Sequence, residues 1–472
     1  MLFNAPVTSR NLHARLSPPL GLAYIAGGLV EAGYRVSALD FNVSGLELRR
    51  VDMVMAHDKP AVIGISAMTE TYGNALRIAT RAKELNPDTV VVLGGAHPTI
   101  LPREVMASVN VDYVVVGPGE RSMVALVNVL LRSEGDLDQV PGLAYARRGQ
   151  VVMNRPDVLR APEDMPEPQR GIFPIELYED KWNVLTATGS CPYRCPFCSA
   201  ASLWQGRRRM RDPAHIVAEI RDLTATYGVS DVFFTDDIFT LNRRWVRELM
   251  DELGTLEHPV RWGCATRVDS VDRELLTLMA DSGCSGIQFG VESGSQEVLD
   301  SVKGIEKEQV IDAVTISLEL GIEPVCSFIM PFPEDTEQTL RETKLFIKEL
   351  HSLGSGIFLS YMCPFPGTLY YEQAEELGVH ILGRSWDEFD AKHVVMETRH
   401  LGAKRITEIM EDIASEVGMR RSVPLHHVAA EDATDRSLCV RTMVRQDAER
   451  AELAAAPIEL ISSSRVRQAP EL

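Results

Sequence analysis

Short apolar runs alternate with stretches of helical periodicity along most of the chain. Over residues 1–150 the runs are 35–41 (RVSALDF), 61–66 (AVIGIS), 89–93 (TVVVL) and 112–116 (DYVVV). Between them, residues 21–32, 72–85 and 103–108 repeat apolar positions at helical spacing. Apolar strands alternating with helices predict an α/β, doubly wound domain with helices on both faces of a parallel sheet. A second alternation occupies residues 181–370. Its strands are 184–188, 231–235, 261–266, 286–291, 323–329 and 357–361, with helices such as 214–227, 243–253 and 272–281 between them. Six such repeats predict a partial (β/α)6 barrel. Residues 151–180 contain Arg155-Pro156, Ala161-Pro162, Met165-Pro166-Glu167-Pro168 and Phe173-Pro174 without periodicity, and read as an extended, proline-rich linker. Residues 371–472 turn helical (371–377, 405–417) and are expected to close the open side of the barrel. Their end, 451–472, is rich in Ala and Ser and reads as a partly disordered tail.

Composition narrows the partners. The 472 residues are 45% hydrophobic and 24% charged, an ordinary globular balance. Lys and Arg number 48 against 67 Asp and Glu, a net charge of −19. That excess of acid disfavours nucleic acid, whose binding rests on neutralising phosphates. No segment reaches the roughly 20 apolar residues of a membrane span, and the first residues lack the apolar core of a signal peptide. A cytoplasmic protein with a small-molecule substrate is expected. Its eight cysteines point to metal binding, catalysis or burial before disulfides.

Ligands of parallel sheets bind at the carboxyl ends of the strands. In the first domain those ends carry Ser66-Ala67-Met68-Thr69-Glu70, then Gly94-Gly95-Ala96-His97-Pro98-Thr99, then Gly117-Pro118-Gly119-Glu120. Glycine admits close backbone approach, and hydroxyls offer hydrogen bonds. None of these loops is a G-x-G-x-x-G dinucleotide fingerprint. Their order resembles the cobalamin-binding, Rossmann-like domain found before many radical SAM barrels, together with Pro18-Pro19-Leu20-Gly21-Leu22. The resemblance implies that Ser66, Thr69, Gly94, Gly95, Gly117, Gly119 and Glu120 hold cobalamin. The D-x-H-x-x-G motif that supplies a cobalt ligand in the methionine-synthase type is absent, and His97 reads as a turn histidine, with contact to cobalt as the alternative.

The second domain opens with Cys191-Pro-Tyr-Arg-Cys195-Pro-Phe197-Cys198. Three thiolates at this spacing can wrap one compact metal centre. Structural zinc needs a fourth ligand, and none is near in sequence. A cubane cluster on three thiolates leaves one iron open. Cys264 and Cys326 fall inside apolar strands and read as core. Cys363 sits at a strand's carboxyl end, where it either lines the site or is buried. An auxiliary cluster would need a denser cysteine pattern.

Other polar groups end the barrel strands, where they face a common site. They are Thr235-Asp236-Asp237, Arg267 with Asp269, Glu292-Ser293-Gly294, Pro331-Phe332-Pro333-Glu334-Asp335-Thr336 and Pro364-Phe365-Pro366-Gly367-Thr368. Asp236, Asp237 and Glu334 could each cap a helix, the reading favoured for Glu334, and Glu292 could instead be a buried ion-pair partner. Arg207, Arg208, Arg209 and Arg211 read as a solvated face, with a bolder reading in which one of them meets an anionic ligand.

The cysteine spacing, with an aromatic before the third Cys, is the signature of radical SAM enzymes. The segment 289–296 (FGVESGSQ) is similar to that family's ribose-binding segment, and 364–368 (PFPGT) to the P-x-P-G-T of its cobalamin-linked members. Thr235-Asp236-Asp237 stands where the family has G-G-E, and Phe332 replaces the glycine of L-P-G-E-T. The resemblance implies a [4Fe–4S] cluster on Cys191, Cys195 and Cys198. It implies S-adenosylmethionine (SAM) held by Phe197, Thr235, Asp236, Arg267, Glu292, Ser293 and Pro364. A reducing partner such as a flavodoxin or ferredoxin is implied as well. The class includes C-methylases and the anaerobic porphyrin-ring cyclase. Methylation at an unactivated carbon is the leading expectation: a deoxyadenosyl radical takes a substrate hydrogen, methylcobalamin supplies the methyl, and a second SAM remethylates cobalt. A radical dehydratase or oxidative cyclase is the alternative. A corrinoid carrier is a third reading, and it would have no need of the three cysteines.

Overall fold

The computed structural model describes residues 1–7, 17–45, 48–156, 162–178, 181–189, 191–203 and 208–417. The first sheet has β1 (Leu2–Asn4), β2 (Ala38–Asp40), β3 (Val62–Ser66), β4 (Val90–Gly94), β5 (Tyr113–Val115), β6 (Leu143–Arg147) and β7 (Gln150–Met153), in the order β2-β1-β3-β4-β5-β6-β7. Pairing is parallel through β5, and β6 and β7 add antiparallel. Alternate strand residues serve opposite faces. Ile63, Ile65, Val91, Leu93 and Val114 pack with residues of the helices Leu48–His57 and Tyr72–Leu85. Val62, Val92 and Val115 pack with the helix Glu120–Arg132. The order reverses between β1 and β3, so this is a doubly wound sheet whose ligand crevice falls outside those strand ends.

The barrel sheet has β8 (Lys181–Leu185), β11 (Asp231–Thr235), β12 (Arg261–Thr266), β13 (Cys284–Glu292), β14 (Glu323–Met330) and β15 (Gly356–Tyr361). All six are parallel, in the order β15-β14-β13-β12-β11-β8. The ribbon β9 (Ala187–Thr188) and β10 (Arg209–Met210) stands beside it. The strand expected at 184–188 is therefore divided. β8 ends at Leu185, and Thr188 turns to pair with Arg209.

Several expectations change. The run 35–41 shortens to β2, because the Asp40 side chain accepts from Asn42 N at 2.9 Å and caps the helical turn Phe41–Ser44. The first sheet passes residue 150, since β7 ends at Met153. The linker is docked rather than extended. Phe173 and Tyr178 share a core with Leu2, Leu22, Ala23 and Ala26, Gln169 N donates to Ala23 O at 2.9 Å, and Tyr178 Oη donates to Asp40 Oδ2 at 2.9 Å. Arg211 lies on no solvated face. It and Arg170 flank Glu219 in a buried triad, at 2.7 and 2.6 Å. After β15, the short helix Leu369–Glu372 leads to the hairpin β16 (Val379–Ile381) and β17 (Met396–Thr398), and then to the helix Ala403–Glu416. The region from 371 is thus only partly helical. Ile406, Met410 and Ile413 of its last helix join the barrel core. The expectations for Arg207 and the tail lie outside the described residues.

Candidate functional site

The cysteine loop follows β9 and is pinned at both ends. The Arg267 guanidinium lies 4.0 Å from the Tyr193 ring centre. Farther along, Phe197 meets Phe332 at 5.4 Å between centroids, and Tyr370 N donates to Pro196 O at 3.4 Å. Cys198 N donates to Cys195 O at 3.1 Å, and Ala200 N reaches Cys198 Sγ at 3.5 Å. Desolvation raises all three thiols, Cys198 to about 11. Loading of a metal centre must therefore displace their protons. Among the described residues no group of three acidic, Cys or His side chains stands at single-ion spacing. A cubane seats each thiolate on its own iron, so it does not require that convergence.

The strand-end groups divide into spent and unspent. Asp236 is spent: it accepts from Arg208, from Ile238 N at 2.9 Å and from Thr186 Oγ1 at 2.8 Å. This makes Asp236 a structural post rather than an open ligand, and takes Arg208 off the solvated face. Its neighbour Asp237 is exposed. Asp237 acts on Cys191 and Cys198, opposing negative charge there, and desolvation followed by Asp236 raises its own carboxyl. Arg267 is also engaged, with Asp269 and with the Lys303 carbonyl. Ser293 is buried against Thr343 at 3.2 Å, and Pro364 is buried. Glu292 pairs with Lys303 at 2.6 Å. Glu334 is no cap. It accepts from Tyr370 Oη at 3.0 Å, while Thr336 caps the helix Glu337–Leu353. Cys363 is buried with Phe389 and Val395. The hydroxyls of Thr188 and Thr235 are buried with no protein partner. Two orphan donors beside the cysteine loop fit a polar ligand there.

The loops after β3, β4 and β5 lie along one edge of the first sheet, as parallel pairing requires. Gly95 has φ +105° and a Cβ there would fall 2.5 Å from Ala67 O; Gly117 has φ +83° and its N donates to Thr99 Oγ1 at 3.0 Å. Ser66 ends β3 opposite Asn4, Thr69 is buried just after it, and Gly94 ends β4. Gly119 packs on Ile25, and Glu120 starts the helix Glu120–Arg132. This edge reaches the barrel. A Cβ on Gly367 would sit 3.0 Å from Ile100 Cγ2 and 3.2 Å from Ser202 Cβ. The β4 loop, the P-F-P-G-T loop and the turn after Cys198 therefore meet at one point.

His97 is no turn histidine. It is fully buried, stacked on Tyr72 at 4.2 Å and edge-on to Trp386 at 5.2 Å. Neither ring nitrogen has a partner, and burial lowers its pKa to about 4. The orphan imidazole is thus closed into the core between Tyr72 and Trp386, away from the open strand-end edge.

Residues 14–127 match the B12 binding domain, and residues 185–347 match the Radical SAM superfamily. The chain is a radical SAM protein with a B12-binding domain. This radical SAM protein is an enzyme, and the cofactors of its family are a [4Fe–4S] cluster, SAM and cobalamin. It is 28% identical over 399 residues to an uncharacterized methyltransferase of Pyrococcus horikoshii, covering 83% of this chain and 86% of that one. It is 32% identical over 339 residues to the anaerobic magnesium-protoporphyrin IX monomethyl ester cyclase of Rubrivivax gelatinosus, covering 69% of this chain but only 61% of the relative. In fold it is similar to the radical SAM methyltransferase TsrM of Kitasatospora setae, solved with cobalamin and a [4Fe–4S] cluster. That likeness has TM-score 0.69 and 20% identity over 88% of this chain and 89% of that one. The cobalamin-dependent SAM radical enzyme OxsB gives TM-score 0.71 at 18% identity over 87% of this chain and 66% of that one. Among the described residues no helix is long and apolar enough to cross a membrane.

Sequence reasoning missed Asp237 as the open acid, Lys303 as the partner of Glu292, and Trp386 as the cover of His97. The first was legible as the second acid of T-D-D. The other two carry no local signal.

Proposed function

We propose that this radical SAM protein is a cobalamin-dependent methyltransferase acting on a carbon of a small molecule. One observation carries the reading: the helical turn that follows Gly94-Gly95 and the one that follows Cys198 meet around Gly367, through Ile100 and Ser202. Two cofactor-type edges brought to one point suit a reaction that needs both.

The chain's own groups take these roles. Cys191, Cys195 and Cys198 hold the cluster. Asp237 receives the SAM ammonium, the charge its position among the thiols favours, and Asp236 anchors the loop that presents it. Thr188 and Thr235 supply hydroxyls, Glu292 faces the ribose, and Phe197 closes one side against water. Ser66, Thr69, Gly94, Gly95, Gly117, Gly119 and Glu120 line the cobalamin edge. When bound, the cluster and cobalamin would supply reductive SAM cleavage and a methyl donor.

The test is anaerobic reconstitution with iron, sulfide and hydroxocobalamin, followed by assay of 5′-deoxyadenosine. One four-iron cluster and one cobalamin per chain are expected, with SAM cleavage lost in C195A. A cluster without retained cobalamin would move the reading to radical cyclisation or dehydration. The 32% identity to a cyclase supports that second reading.

A further inference from the structure

The segment 382–395 crosses between the two sheets at the carboxyl ends of their strands. Its turn Trp386–Glu388 lies on the turn Thr69–Thr71, which follows β3. Farther on, Ala391 O accepts from Tyr361 N at 2.9 Å, at the end of β15. Phe389 and Val395 pack on Cys363, just past that end. The segment therefore stands where parallel sheets of both kinds bind their ligands.

It also encloses a cavity of about 380 Å³, lined by Leu382, Arg384, Glu388, His393 and Val394. That is room for a small molecule. The walls are held in place. Leu382 N and Gly383 N both donate to Val395 O, at 2.8 and 3.3 Å, and so close the two arms of the segment. Gly383 packs on Phe389, where a Cβ would fall 2.5 Å from the ring. The Asp390 carboxylate, 6% exposed, accepts from Lys392 N at 2.8 Å and from His393 N at 3.1 Å. The same oxygen lies 2.9 Å from His393 Nδ1 and fixes that ring.

Arg384 and Glu388 bring opposite charges to this cavity without spending them on each other. Glu388 Oε2 accepts from the Arg384 backbone N at 3.0 Å, and the guanidinium lies elsewhere. Among the described residues neither side chain has an ion-pair partner. A lone anion would meet Glu388 here, and a lone cation would meet Arg384. A zwitterion satisfies both, because a guanidinium forks onto a carboxylate and a carboxylate accepts from an ammonium. Leu382 and Val394 add an aliphatic wall.

We propose that this cavity receives the head group of a free α-amino acid with an aliphatic side chain, Arg384 taking the carboxylate and Glu388 the ammonium. The inference deepens the reading given under Proposed function by naming a substrate class, and rests on that reading for the bound molecule's being substrate. No bond forms or breaks at the cavity residues.

The probes are L-leucine, 4-methylpentanoate, which lacks its ammonium, and 3-methylbutylamine, which lacks its carboxylate. Each is titrated calorimetrically into the full chain, before and after anaerobic loading with iron, sulfide and hydroxocobalamin. L-Leucine is expected to bind about tenfold more tightly than either half. R384Q should remove its advantage over the amine, and E388Q its advantage over the acid. In E388Q the amide oxygen still accepts from Arg384 N, and Arg384 is exposed, so R384Q strands no buried group. Equal binding of all three probes, or none, overturns the inference. So does a uniform weakening of all three in both variants, the mark of a merely structural role. A chain that takes up neither cluster nor cobalamin overturns the reading under Proposed function, and the probe pattern is then still read on the unloaded chain. A loaded chain without that pattern overturns this inference alone.

Discussion

Trp386 Nε1 donates to Glu104 Oε1 at 2.6 Å, a bond between residues 282 positions apart. The same indole meets His97 at 5.2 Å between ring centres, and the next residue, Asp387, lies against Gly73 at the start of the helix Tyr72–Leu85, where a Cβ would fall 2.5 Å from its Oδ1. A segment after the barrel thus clamps the B12-binding domain. W386F keeps a ring but loses the bond, and is expected to cost about 1–2 kcal/mol. W386A should cost more and open residues 382–395 to protease. Calorimetry and limited proteolysis check both; wild-type behaviour in W386A would refute the clamp.

His97 makes the fold sensitive to acid. Its folded pKa of about 4 lies below the ordinary 6.5 because burial disfavours the imidazolium. The folded state therefore binds fewer protons than the unfolded chain between those values. Stability is complete above about pH 6.5 and is lost as pH falls, by up to ~3 kcal/mol near pH 4. Urea melts of wild type and H97F across this range should diverge toward acid, with H97F the flatter. Parallel curves would remove His97 as the source.

Asp236 and Asp237 should separate cleanly. D236N strands Arg208 beside a buried neutral amide and is expected to lose about 3 kcal/mol of stability. D237N touches no protein partner of note and should stay within about 0.5 kcal/mol of wild type. Its KM for SAM should rise about tenfold, the loss of roughly 1.4 kcal/mol of binding. An unchanged KM in D237N would return the ammonium to another residue.

E219Q tests the triad that ties residues 162–178 to the barrel. Glu219 takes both Arg170 and Arg211, and every member is less than a tenth exposed. Removing its charge leaves two buried guanidinium groups, at an expected cost of about 3–5 kcal/mol. A thermal midpoint equal to wild type would show that water reaches them.

How far the sequence could be read follows from how local each feature is. β11 and β12 appear at the expected bounds because glycine, polar residues and helices flank compact apolar runs. β1 escaped notice because three residues carry no period, and β6 and β7 because their hairpin straddles the apparent domain edge. The cysteine spacing is local and stood out. The division of labour between Asp236 and Asp237 is not, since it depends on Arg208 and Thr186 arriving from other segments. Lys303 is likewise silent in sequence: its meaning comes from Gly290, which leaves room for its ammonium beside Glu292.

The docked strap decides where this molecule can be cut. Gly27 packs directly against the backbone of Glu167, and a Cβ there has no room. Phe173 and Tyr178 complete the surface of the preceding domain. Recombination of this domain with a foreign barrel at residue 150 would leave an apolar face bare on one half and a homeless segment on the other. A chimera joined after Tyr178 would carry the strap with the domain it covers, and would still have to bring a matching Glu219 and Arg211 from its new barrel.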